Sequence, residues 1–131
     1  MTSDPIGAML TTLRNGTLRR ATHVNVPKSK LSAAVLVVLK DAGYIFEIEE
    51  LKPKDKQGLL KVGLLSGTRK PVLREIKRLS RPGLRRYAKA SQIPTPLGGY
   101  GLIVISTPKG VMTGETARAK GLGGELLCEV S

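Results

Sequence analysis

The chain is poor in the residues on which much enzyme chemistry and extracellular stability rest. Its 131 residues include one cysteine, one histidine and no tryptophan, and aromatics make up only 3%. A lone Cys128 cannot form an internal disulfide, which argues for a reducing compartment. A zinc site needs about four ligands, and Cys128 with His23 cannot supply them. Any nucleophile–imidazole pair must use His23, which lies beside Val24 in a short alternating stretch and reads as a structural or exposed residue. No glycine is followed at P-loop spacing by Gly-Lys-Ser/Thr. No catalytic residue, metal site or cofactor is expected. The longest apolar run, Ala33 to Leu39, is far short of the roughly 20 residues that span a bilayer. Asp4 stands where a signal peptide needs positive charge, so a soluble protein without a targeting segment or membrane partner is expected.

Negative charge is the other scarcity. Ten Asp+Glu face 22 Lys+Arg, a net of +12 with a pI near 10.3. Such a surplus favours a polyanionic partner, nucleic acid before anionic membrane. It is uneven: residues 1–65 hold 10 basic and 6 acidic side chains, residues 66–131 hold 12 and 4. Arg69, Lys70, Arg74, Lys77, Arg78, Arg81, Arg85, Arg86 and Lys89 are opposed in their window only by Glu75. Phosphates would relieve that repulsion, and binding would be salt-sensitive.

Hydrophobic residues at 40% suffice for a core. Asp4-Pro5 reads as a helix start, with Ile6, Met9, Leu10 and Leu13 on one face and a stop at Asn15-Gly16. His23 to Val26 reads as a strand ended by Pro27. Ser29 can cap a second helix with Leu31, Val35, Val38 and Leu39 inward and Gly43 at its end. Tyr44 to Glu49 alternates as a strand, residues 52–58 form a polar turn, and Leu60, Val62 and Leu64 return. Residues 66–71 are the best linker. Val72, Ile76 and Leu79 lean towards a helix. Arg81-Pro82-Gly83 is a turn, and Pro94 and Pro96 forbid a long helix. Gly98 to Gly101 reads as a tight turn into a strand, Leu102 to Ile105. Thr113 can cap a last helix with Glu115 in its first turn. Gly121 to Gly124 ends it, and Leu126, Cys128 and Val130 alternate as a final strand. The expected fold class is α+β in two small α/β domains. Residues 1–65 form a helix-strand-helix-strand-strand domain, and residues 72–131 form a mainly β domain with short helices.

Two segments look suited to recognition. Ser80 to Tyr87 sets Arg81, Arg85 and Arg86 around a rigid turn beside an aromatic. Guanidinium forks suit phosphate, and Tyr87 can stack on a base. The alternative is a solvated basic hairpin. Ser106 to Thr113 brings hydroxyls, backbone N–H groups and Lys109 together before a helix, a set able to read irregular RNA. Its alternative is an ordinary strand–helix connection capped by Thr113. The residues alone leave these two readings level.

The chain resembles, from end to end, the eighth small-subunit ribosomal protein family of the bacterial type. The resemblance lies in Asp4-Pro5-Ile6, Met9-Leu10 and Arg14-Asn15-Gly16, then Pro27-Lys28-Ser29-Lys30 and Gly43-Tyr44-Ile45. It continues through Ser80-Arg81-Pro82-Gly83-Leu84-Arg85 with Tyr87, Ile93-Pro94 and Gly98 to Gly101. Last come Ile105-Ser106-Thr107, Lys109-Gly110-Val111-Met112-Thr113, Ala117-Arg118 and Gly123-Gly124-Glu125. The run Lys109 to Thr113 is the most specific piece.

The resemblance implies a two-domain protein of the cytoplasmic (or plastid) ribosome that binds the central domain of small-subunit rRNA directly and aids assembly. Its other partners would be neighbouring small-subunit ribosomal proteins. Some family members also bind their own mRNA, so a free-standing translational repressor of this fold is the alternative function. By position, Ser106, Thr107, Lys109 and Gly110 would form the main RNA-binding loop, with Tyr87 beside it. Glu125 would orient the loop hydroxyls, with Thr113 at the loop's end. Arg14, Asn15 and Lys30 would belong to an amino-terminal contact surface. The resemblance also implies a strand in Val72 to Leu79, against the pattern. The family reads Ser-Thr-Ser before Lys-Gly, whereas here Pro108 replaces the second serine. Pro108 removes a hydroxyl and an N–H and fixes φ, which stiffens the loop before binding.

Overall fold

The computed structural model describes residues 4–51, 58–64, 73–96 and 101–131. The expected linker 66–71, residues 98–100 of the expected glycine-rich turn and the polar turn apart from Gly58 lie outside these residues. The chain divides into two compact units, Met1–Arg74 and Glu75–Ser131. Each combines helices with an antiparallel sheet, an α+β arrangement.

The first unit opens with helix α1 (Pro5–Leu18). Asp4 Oδ1 accepts from the Gly7 N–H at 3.1 Å, and Pro5 sits where no N–H is needed. Ile6, Met9, Leu10 and Leu13 are buried, as their spacing predicts. The expected stop at Asn15-Gly16 is incorrect, since the helix runs on to Leu18. Gly16 serves packing instead. A Cβ there would lie 2.5 Å from Val24 Cγ1 and 2.8 Å from Leu64 Cδ1, so glycine lets the helix approach the sheet.

That sheet contains β1 (His23–Pro27), β2 (Glu47–Leu51) and β3 (Leu59–Gly63) in the order β1-β3-β2. Helix α2 (Lys30–Asp41) is capped by Ser29, whose Oγ accepts from the Ser32 N–H at 3.0 Å. It buries Ser32, Val35, Leu36 and Leu39. Leu31, expected inside, is 37% exposed, and Val37 is 49% exposed. One helical stripe can face the core, so a continuous apolar run cannot be buried whole. The strand expected from Tyr44 begins only at Glu47. The Tyr44 N–H is spent on the Leu39 carbonyl at 2.9 Å, closing α2, and Ile45 is the residue that buries.

The second unit contains β4 (Ile76–Arg78), β5 (Tyr87–Ala88), β6 (Leu102–Thr107), β7 (Gly110–Thr113) and β8 (Gly124–Val130), with helix α3 (Gly114–Ala119). The order is β4-β8-β6-β7, and β5 also pairs with β8. The helix suggested by Val72, Ile76 and Leu79 is not formed over residues 73–79, and Val72 lies outside the described residues. Ile76–Arg78 is a strand on the far end of β8, and Glu75 and Ser131 exchange backbone hydrogen bonds of 2.9 and 3.0 Å beside it. Three apolar residues at helical spacing carry little weight when a neighbouring strand offers a ladder. Ile93, Ile103, Ile105, Ala117 and Leu126 form the core, with Leu79, Ala88, Met112 and Leu122 packed on it. The pairing of β6 with β8 shifts register at Val104/Ile105, so Leu127 is the extra residue of a bulge. Leu127 is therefore buried together with Leu126 and Cys128, against the simple alternation expected. No helix among the described residues is long and apolar enough to cross a membrane.

Candidate nucleic-acid interface

The segment expected as a strand–helix loop, Ser106 to Thr113, is instead the tip and second strand of a β-hairpin. β6 and β7 pair Thr107 with Gly110, leaving Pro108 and Lys109 as the turn. Strand pairing satisfies the backbone that a loop would have presented to a ligand. Pro108 suits the first central turn position, where a φ near −65° is required and no ladder N–H is lost. Gly110 supplies a φ of +121° directly after it.

Thr107 and Ser106 point to opposite faces, as successive strand residues must. Thr107 is buried, and its hydroxyl is spent on the hairpin. Oγ1 donates to the Gly110 carbonyl at 2.8 Å and accepts from the Lys109 N–H at 3.1 Å. Thr107 thus sets the shape of the turn. Ser106 is half-buried, and its hydroxyl has no hydrogen bond among the described residues. Pro108, Lys109 and Gly110 are exposed.

Across the sheet, Ser106 pairs with Glu125 and Glu125 pairs with Tyr87. Directly opposed residues share a face, so three sequence-distant side chains form one row across β5, β8 and β6. Tyr87 stands 70% exposed at the end of this row. Gly124 makes the close pairing possible, because a Cβ there would collide with the Ser106 carbonyl oxygen.

Glu125 was expected to orient the hydroxyls of Ser106 and Thr107. It engages other partners: its Oε2 accepts from Ser80 Oγ at 2.5 Å and from the Arg85 guanidinium at 3.1 Å. Ser80 is buried, and its Oγ also accepts from the Arg86 N–H at 3.1 Å. The arginine-bearing turn is therefore fastened to the row through one serine. In the turn itself, Arg81 and Leu84 exchange backbone hydrogen bonds of 3.1 and 3.0 Å around Pro82-Gly83. Arg81, Arg85 and Arg86 are exposed. Burial, then the positive charges of Arg81 and Arg85, hold the Arg78 guanidinium below its ordinary pKa, against the pull of Glu125. Arg78 also donates to the Ser80 carbonyl at 2.5 Å. The arginines crowd one another, and an arriving anion would relax that crowding.

The family model described as Ribosomal protein S8 matches residues 4–131. This chain belongs to the ribosomal protein S8 family. It is 48% identical over 130 residues to a Pseudomonas aeruginosa protein named Small ribosomal subunit protein uS8, covering 97% of this chain and 96% of the relative. It is 45% identical over 129 residues to the protein of that name from Caldanaerobacter subterraneus subsp. tengcongensis, covering 98% and 97%. It is 46% identical over 131 residues to that from Vibrio campbellii, again covering 98% and 97%. The family is one of ribosomal proteins rather than of enzymes.

In this S8-family chain the remaining expected site residues lie elsewhere. Thr113 caps α3, accepting from the Thr116 N–H at 3.1 Å, rather than touching the hairpin turn. Arg14 and Asn15 are exposed on α1, and Lys30 is exposed at the start of α2. Sequence reasoning missed Ser80 as a site residue. It also missed Arg118, whose guanidinium donates to the Ile93 carbonyl at 2.6 Å and ties α3 to the segment before β6. Serine ahead of Arg-Pro-Gly was visible, but its partner lies 45 positions away, beyond any local signal.

Proposed function

We propose that this chain is a structural component of the small ribosomal subunit. In this reading it binds the central domain of small-subunit rRNA directly and sits among neighbouring ribosomal proteins. The names of its relatives support the subunit. The single observation that carries direct RNA binding is the row Tyr87–Glu125–Ser106 beside the arginine turn. It unites a stacking ring, a hydroxyl and a carboxylate acceptor with guanidinium groups, the mixture that irregular RNA requires. The arginines supply attraction and position, and the row supplies discrimination.

Two measurements test this. The protein should co-sediment with small subunits at moderate salt. Ser106→Ala should lose roughly tenfold or more on a central-domain rRNA fragment and little on random RNA, the size of one base-edge contact. Arg86→Ala should weaken both and flatten the salt dependence. Equal losses on both RNAs in Ser106→Ala would refute the assignment of discrimination to the row.

A further inference from the structure

Arg118 spends its guanidinium on a main-chain carbonyl. It sits in the last turn of α3, is exposed, and donates to the Ile93 carbonyl at 2.6 Å. It makes no ion pair among the described residues. A basic residue at a helix end needs no such partner, since the helix dipole alone favours it there. What the bond holds is the stretch that runs from β5 to Ile93. β5 pairs with β8 at only two residues, Tyr87 and Ala88. Beyond them the chain makes one 3₁₀ turn, Ala90–Gln92, with no side-chain cap. Ile93 then enters the core, and a Cβ on Gly114 would lie 2.9 Å from its Cγ2. Burial of an apolar side chain has no direction and fixes only depth. The guanidinium bond is directional and fixes how the stretch is rotated.

That rotation matters because the stretch lines a cleft of about 630 Å³. It contributes Tyr87, Lys89 and Gln92, all exposed. The other lining stretch contributes Gly121, Gly123 and Gly124, where the chain leads from α3 into β8. Gly123 passes so close that a Cβ there would lie 2.6 Å from the Ala88 carbonyl oxygen. Glycines have no side chains to readjust, so any movement of the Tyr87 stretch changes the cleft directly. The pairing of Tyr87 with Glu125 joins the two stretches at one end. The bond from Arg118 to Ile93 ties the other end to the helix that precedes Gly121.

We infer that Arg118 is a positioning residue for RNA recognition: acting through Ile93, it holds the Tyr87 ring where an unstacked base meets it. The inference rests on the RNA-binding reading above, in which Tyr87 supplies the stacking face. The test uses the full chain, a central-domain rRNA fragment and a random RNA, each titrated over a range of salt. Arg118→Met keeps a long side chain and removes its donors. It should bind the fragment roughly fivefold more weakly, the size of effect exerted by a residue that does not touch the ligand. Random RNA should be bound as before, with an unchanged salt slope. Arg118→Lys keeps a donor and should stay near wild type. In a Tyr87→Ala background, Arg118→Met should cost nothing further, because the ring it positions is gone. In the free protein, Arg118→Met should shift the amide resonances of Ala90, Ser91 and Gln92. Resonances that stay in place, or wild-type binding by Arg118→Met, overturn this inference alone. Losses that add to those of Tyr87→Ala would make Arg118 a general support of the fold, which also overturns it. A salt slope shallower by about 0.7–0.9 would make Arg118 a phosphate contact, with the same consequence. A wild-type protein that does not bind the fragment, or full binding by Tyr87→Ala, overturns the functional reading and this inference together.

Discussion

Replacing Ser80 by alanine should cost far more than its size suggests. Ser80 Oγ is buried, donates to the Glu125 carboxylate at 2.5 Å and accepts from the Arg86 N–H at 3.1 Å. A hydrogen bond to a charged group is worth about 1.5–3 kcal/mol, and a stranded buried N–H costs about 1 kcal/mol or more. Glu125 retains Arg85 and some solvent access, which offsets part of the loss. The net expectation is a destabilisation of about 2–3 kcal/mol. For a chain of this length that lowers the melting temperature by roughly 6–15 °C. Urea unfolding of Ser80→Ala, Glu125→Gln and the double variant measures it. The two changes share one hydrogen bond, so the double variant should be less destabilised than the sum by about 1 kcal/mol. All charges remain in Ser80→Ala, so rRNA binding should weaken with an unchanged salt slope. A stability change under about 0.5 kcal/mol, or strict additivity, would refute the fastening role of Ser80.

Three further outcomes follow from the same geometry. Thr107→Val keeps the shape but removes both bonds of Oγ1, so it should destabilise by about 1–2 kcal/mol and broaden the amide resonances of Lys109 and Gly110. Unchanged resonances would return Thr107 to a direct RNA role. Gly124→Ala drives a Cβ into the Ser106 carbonyl and should cost more than about 3 kcal/mol, read by circular dichroism on heating. Tolerance of alanine would show that β6 and β8 can separate. Burial pushes the Cys128 thiol up to about 12, above its unfolded value near 9. The unfolded chain releases this proton first, so the contribution of Cys128 to stability is full below pH 9 and is lost as pH rises towards 12. Cys128→Val should remove that component of the alkaline slope, and native protein at pH 8 should resist iodoacetamide until urea unfolds it.

Local chemistry was legible where one residue decides the outcome. Asp4, Ser29 and Thr113 cap their helices through the side-chain oxygens that their types supply. The alternation of Leu60 and Val62 gave the buried face of β3, and Leu64 just past its end is buried too. Readings failed where a distant partner decides. Gly16 looks like a helix stop, yet Val24 and Leu64 explain it. Ile76 looks helical until β8 is beside it. Ser106 and Thr107 look equivalent in a hydroxyl-rich string, and only the pairing of β6 with β7 separates them. Likewise Glu125 shows its partners only when β8 meets the segment from Ser80 to Arg86.

The placement of Glu125 also constrains what the surface can accept. A carboxylate at the centre of a basic patch repels phosphate over a few ångströms, while the arginines around it attract phosphate from further away. Within the proposed function, the backbone of the RNA is therefore drawn to Arg81 and Arg86 and kept off the row itself. What can approach Glu125, Ser106 and Tyr87 is a group that donates hydrogen bonds or offers a flat face: a 2′-hydroxyl, an exocyclic amine or an unstacked ring. Arg85 bridges the two regimes, since its guanidinium is 3.1 Å from the carboxylate while half of its side chain faces solvent. A net charge of +12 explains attraction to any nucleic acid. Within the same proposal, one negative charge, set where three strands meet, turns that attraction into a choice between phosphate and base.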